Sequence, residues 1–93
     1  MAVWRMRIEV RLERLDQAVA CRADFTGGKV TPLSFWRGGR EHRVRAVHAR
    51  WLDRSARHPQ FYFSTETESG EVYELRLDSG EMVWHVQSVM LEG

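Results

Sequence analysis

Ninety-three residues with 43% hydrophobic and 11% aromatic content read as one globular β domain, residues 1–93, and exclude a disordered tail. No apolar run approaches the ~20 residues of a membrane helix, and a single cysteine, Cys21, rules out an internal disulfide, so no membrane partner and a cytoplasmic setting are expected. The formal net charge is +1 but unevenly spread: residues 37–58 hold seven arginines against Glu41 and Asp53, while residues 59–93 hold Arg76 against seven carboxylates.

Val3 to Leu12 alternates strictly. Trp4, Met6, Ile8, Val10 and Leu12 are apolar, and Arg5, Arg7, Glu9 and Arg11 separate them. That period of two predicts a strand with one buried face and excludes the continuous apolar centre of a signal peptide. Val19, Cys21, Ala23 and Phe25 alternate again and predict a second strand, ended at Thr26-Gly27-Gly28-Lys29 by a tight turn. Pro32 has no amide to donate and belongs at a strand start or an edge. Leu33 to Trp36 is a short strand, and Gly38-Gly39 a two-residue hairpin turn of the primed type.

From Arg40 the alternation resumes through His42, Val44 and Ala46, but Val47 and Trp51 break its parity. A β-bulge near Arg45-Ala46 followed by a loop accounts for the break; a short helix through Val44, Val47 and Trp51 is the alternative. Asp53 to Gln60 is polar, contains Pro59 and reads as the longest loop. Phe61-Tyr62-Phe63 opens another strand. Ser69-Gly70-Glu71 and Ser79-Gly80-Glu81 are two similar turns bracketing Val72 to Asp78, with Tyr73, Leu75 and Leu77 on one face. Met82 to Val89 follows, Trp84 and Val86 inward. Short antiparallel hairpins at this spacing predict an all-β domain of about 6–7 strands, a small, partly open barrel or a two-sheet sandwich.

Catalytic chemistry leaves little trace. Four scattered histidines and one cysteine match no zinc spacing, so neither a metal nor another cofactor is expected. Cys21 occupies an inward strand position, where burial disfavours the reactive thiolate. Gly27-Gly28-Lys29 lacks the remainder of a phosphate-binding loop. No catalytic residues are assigned. Glu66, Glu68, Glu71 and Glu74 form a solvated acidic face without the glycine-ordered loop of a calcium site.

The basic segment is the remaining candidate. Arg37, Arg40, Arg43, Arg45, Arg50, Arg54 and Arg57 are expected to contact phosphates, with Arg37 and Arg40 projecting from the hairpin tip and Trp36 beside them as a stacking surface. Trp51 is a second candidate platform, and both tryptophans also suit a core. Two plainer accounts compete. Thirteen of the fourteen basic residues are arginine, an excess that GC-rich coding produces without any binding role. The basic and acidic blocks can also neutralise each other across neighbouring strands, at about 0.2–1 kcal/mol per facing pair.

Pro32-Leu33-Ser34-Phe35-Trp36-Arg37-Gly38-Gly39-Arg40, Val44, Trp51, Phe61-Tyr62-Phe63, Val72-Tyr73-Glu74-Leu75 and Trp84 together resemble a small bacterial family of unknown function found near Y-family translesion polymerase genes. The resemblance spans roughly residues 30–89 and departs at His42, where the family has an aromatic, and at Gly38, where it has an arginine. It implies a DNA-repair context and supplies no catalytic residues. The leading expectation is a non-catalytic module, monomeric or weakly dimeric, that binds nucleic acid or a nucleic-acid-processing protein. The alternative is a protein-interaction or self-association module using opposite-charge faces or a strand edge.

Overall fold

A computed structural model describes residues 10–92. Six strands follow one another as an antiparallel meander: β1 (Val10–Thr26), β2 (Lys29–Arg37), β3 (Arg40–Asp53), β4 (Gln60–Thr67), β5 (Val72–Asp78) and β6 (Val83–Glu92). Each pairs with the next, and β1 pairs with β6 to close a barrel. The expectation of a small antiparallel barrel holds.

Two strands do double duty. The first half of β1 (10–19) pairs with β6, and its second half (20–26) pairs with β2. The first four residues of β3 (40–43) pair with β2, and the rest (44–53) pair with β4. The barrel is therefore two sheets sharing their corner strands: a five-stranded sheet (β1–β6–β5–β4–β3) and a three-stranded one (β1–β2–β3). Corners require the chain to bend, and bulges do the bending. Register shifts fall between Val44 and Ala46, between Val47 and Ala49, between Arg22 and Ala23, and between Arg14 and Gln17. Asp16, at the last of these, has a left-handed φ of 42°, which aspartate tolerates better than most residues.

Three expectations need correcting. The segment after Ala46 is neither loop nor helix: two bulges, not one, keep β3 extended to Asp53. The two strands foreseen before Gly27 are, within the described residues, one 17-residue strand. Leu12 is 53% exposed and outside the barrel. Leu15, Val19, Cys21 and Ala23 pack against the core, which fixes the odd-numbered side of β1 as inward and puts even-numbered Leu12 outside. The rest of the first predicted strand, residues 3–9, lies outside the described residues.

The core is Phe35, Phe63, Tyr73, Leu75, Leu77, Trp84, Val86 and Val89, contributed by every strand from β2 to β6 except β3. β3 supplies His42 instead. Its ring stacks on Phe35 at 5.1 Å and 10°, and Nε2 donates to the Arg37 carbonyl at 3.3 Å. Tyr73 meets Phe35 edge-on at 5.0 Å. Such contacts add to area burial by about 0.5–1.5 kcal/mol per aromatic pair. Two buried threonines are satisfied locally: Thr65 Oγ1 donates to Tyr73 O at 3.0 Å, and Thr67 Oγ1 lies 3.1 Å from Ser69 Oγ.

The hairpin turns are glycine-built. Gly38 and Gly39 have φ of 62° and 72°, the pair of positive angles a type I′ turn requires. The loop 54–59 is anchored at both ends. Asp53 Oδ1 accepts from Ser55 N at 2.8 Å, and Ser79 N donates to Pro59 O at 3.2 Å. His58 packs so closely on Gly80 that an added Cβ would stand 2.4 Å from its ring. Replacing Phe35 by alanine is expected to cost about 3–5 kcal/mol in urea unfolding, because the His42 and Tyr73 rings lose their common partner.

Candidate functional site

The corner in β3 leaves an open seam. β2 and β3 are hydrogen-bonded only from Ser34 to Arg43, so the start of β2 (Lys29–Leu33) and the end of β3 stand apart. A groove of about 390 Å³ lies at this place, lined by Gly28, Lys29, Val30, Arg50, Trp51, Leu52, Phe61, Tyr62 and Phe63. Among the described residues, no carboxylate lines it.

Arg50 spans the gap. Its register partner is inward-facing Phe63, so its side chain turns toward the barrel interior at the seam. One guanidinium nitrogen donates to the Val30 carbonyl and the other to Thr31 Oγ1 at 3.2 Å, while Cζ lies 5.6 Å from the centre of the Phe63 ring. The guanidinium thus satisfies a β2 carbonyl that no neighbouring strand reaches, and its face covers an otherwise buried aromatic. At the outer rim, Trp51 stacks flat on Tyr62 at 5.3 Å and 6° and remains 42% exposed. Phe25, beside Val30 in register, is 61% exposed at the same end of the barrel.

The predicted basic residues do not form one surface. Arg45 is bound to Glu66, which also accepts from His48 at 2.9 Å. Arg43 pairs with Glu41 at 3.0 Å, and that contact raises its already high pKa. Arg37 does not project from the hairpin tip. It is half-buried, its Nε is enclosed without a partner among the described residues, and it lies against the Tyr73 hydroxyl. Arg40 alone is exposed at the tip. Trp36 faces outward, 37% exposed, with the Arg22 guanidinium 5.7 Å from its ring centre on the three-stranded sheet, away from the groove.

Arg50, Arg54 and Arg57 are differently placed. Arg50 lies in the seam, and the other two are exposed on the loop that continues β3 beyond it. The nearby carboxylates are held by local donors. The Ser55 hydroxyl and amide lower the Asp53 pKa, and Gln60 with the Gly80 and Glu81 amides does the same for Asp78. Sequence reasoning missed Lys29, Leu52, Phe61 and Tyr62 as groove residues. Lys29 had a signal, as the only lysine and the residue following a glycine turn. For the others the alternation hides the site, because a strand residue at an open seam has the same pattern as one in a closed wall.

Metal and thiol chemistry gain no support. Among the described residues no group of three or more histidine, cysteine, aspartate or glutamate side chains converges. Cys21 packs against the core, and burial pushes its thiol pKa up to about 12. No protein-family model matches the chain, and neither a curated protein nor a solved structure is significantly similar to it. The functional argument therefore rests on the groove.

Cys21 gives a direct check of this packing. Its folded pKa lies above the unfolded value, so deprotonation favours the unfolded chain, and the native state should lose stability as the pH rises from about 9 toward 12. At pH 8 Ellman's reagent is expected to label Cys21 slowly in the native protein and rapidly in denaturant; equal rates would contradict the burial.

Proposed function

We propose that the protein is a non-catalytic module that binds unpaired nucleic acid in the groove between β2 and β3. One observation carries the reading: the groove combines exposed aromatic faces with Lys29 and Arg50 and, among the described residues, has no carboxylate in its lining. Phosphates require cations, unpaired bases offer flat faces to stack, and a neighbouring carboxylate would repel the backbone. Trp51, already held rigid by its stack on Tyr62, presents a platform that loses little freedom on binding. Arg54 and Arg57 extend the cationic track past the end of β3. A DNA-repair setting in the cytoplasm, where single strands are exposed, is the context in which such a module would act.

An extended peptide suits the seam less well. Strand addition requires a free ladder of donors and acceptors along an edge. Here Arg50 occupies the Val30 carbonyl, and Pro32 has no amide to offer.

Fluorescence anisotropy with labelled oligonucleotides tests the proposal. A single-stranded probe should bind more tightly than a duplex. If Lys29, Arg50, Arg54 and Arg57 each meet a phosphate, the log–log salt slope on single strands is about −2.8. Trp51→Ala should cost about 1–3 kcal/mol, the range for one stacked base. Arg50→Ala and Lys29→Ala should weaken binding and flatten the slope, whereas Arg45→Ala, whose partner is Glu66, should change little. Absence of binding at low salt, or binding indifferent to both groove substitutions, would overturn the reading.

A further inference from the structure

On the outside of the five-stranded sheet, β1, β6 and β5 carry two consecutive cross-strand rows. Leu12 on β1, Met90 on β6 and Val72 on β5 are register partners in one row, and Arg14, Ser88 and Glu74 are partners in the next. All six line one depression of about 270 Å³, floored by the small side chains of Ser64 and Ser88. Leu12 is 53% and Met90 43% exposed. Arg14 and Glu74 stand two strands apart, about 10 Å, with Ser88 between them. Neither makes an ion pair among the described residues, although other exposed arginines of this chain do.

We infer that this face is the interface of a homodimer, with a second copy of the chain as its occupant. The ordering of the rows is what selects a second copy. A two-fold axis lying between two stacked sheets and running along β6 exchanges the β1 and β5 sides. It sets Arg14 over Glu74 of the second copy, and the reverse pair over each other. In the next row it sets Leu12 over Val72 of the second copy and Met90 over its own equivalent. Both rows become complementary under a single operation: two opposite-charge pairs and one apolar layer, with serine at the axis where two backbones approach most closely. Sheets pack face to face at about 10 Å, a spacing that side chains of this size fill.

The apolar parity continues in the sequence through Trp4, Met6 and Ile8, which share the even-numbered set of Leu12. The groove between β2 and β3 shares only Trp51 with the depression, so Lys29 and Arg50 remain accessible in such a dimer.

Sedimentation velocity of the full chain over a concentration series tests the inference, with circular dichroism confirming that each variant is folded. The wild-type protein should pass from monomer to dimer as concentration rises. Met90→Glu places two carboxylates together on the axis and should leave only monomer. Arg14→Glu and Glu74→Arg should each weaken the dimer by about tenfold or more, because each creates two like-charge contacts. The double variant Arg14→Glu/Glu74→Arg should recover it, which a merely destabilising change would not do. A wild-type chain that stays monomeric throughout, a dimer unmoved by Met90→Glu, or a double variant weaker than both single ones would overturn the inference. Oligonucleotide binding by Met90→Glu is a separate readout, so failure here leaves the groove reading intact.

Discussion

The turning of β3 from one sheet to the other is the constraint on which the remainder of the structure depends. A strand can hydrogen-bond to two neighbours at once only if both run beside it. β3 runs beside β2 for four residues and then follows β4 through two bulges. Everything at the seam is a consequence. The start of β2 loses its second partner, Arg50 is drawn across to supply a donor, and Phe63 is covered by a guanidinium where a strand would otherwise stand. The groove is not an ornament on the barrel but the space left by its geometry.

The same bending sorts the charges. At the two bulges of β3 the extra residues, Arg45 and His48, both reach Glu66 of β4: Arg45 pairs with its carboxylate and His48 hydrogen-bonds to it. Where β3 departs from β2, Arg50 bonds, among the described residues, only to the Val30 carbonyl and the Thr31 hydroxyl. The basic middle and acidic end of the sequence are thus partly reconciled within the fold. Lys29 and Arg50 at the seam and Arg54 and Arg57 on the loop that follows have no carboxylate partner among the described residues.

Much of the architecture was legible in the sequence. Tyr73, Leu75 and Leu77 alternate cleanly because β5 is a central strand with one wet face, and Gly38-Gly39 announces its turn because few other residues tolerate two positive φ angles. The errors fall where local pattern and global shape part company. Leu12 belongs to an even-numbered apolar series that reads as core, while the odd-numbered series of the same strand reaches the interior. Arg37 looks like a tip residue from its place beside the glycines. Its register instead directs it over the end of the barrel toward Tyr73. Which arginines are neutralised depends on cross-strand register, and a bulge moves register by one residue without altering composition.

The pairing of β1 with β6 has a temporal consequence. The contacts within each hairpin are short in sequence, but the closing ladder joins residues 10–19 to 84–92. During synthesis the first half of β1 emerges with an alternating, pairing-competent edge and must wait until nearly the whole domain has been made. Strands in that condition are the ones that capture neighbouring chains, and positive side chains along them act as a deterrent. Arg11 and Arg14 lie in this stretch. Their charge guards this edge on a nascent chain whose last strand has yet to leave the ribosome.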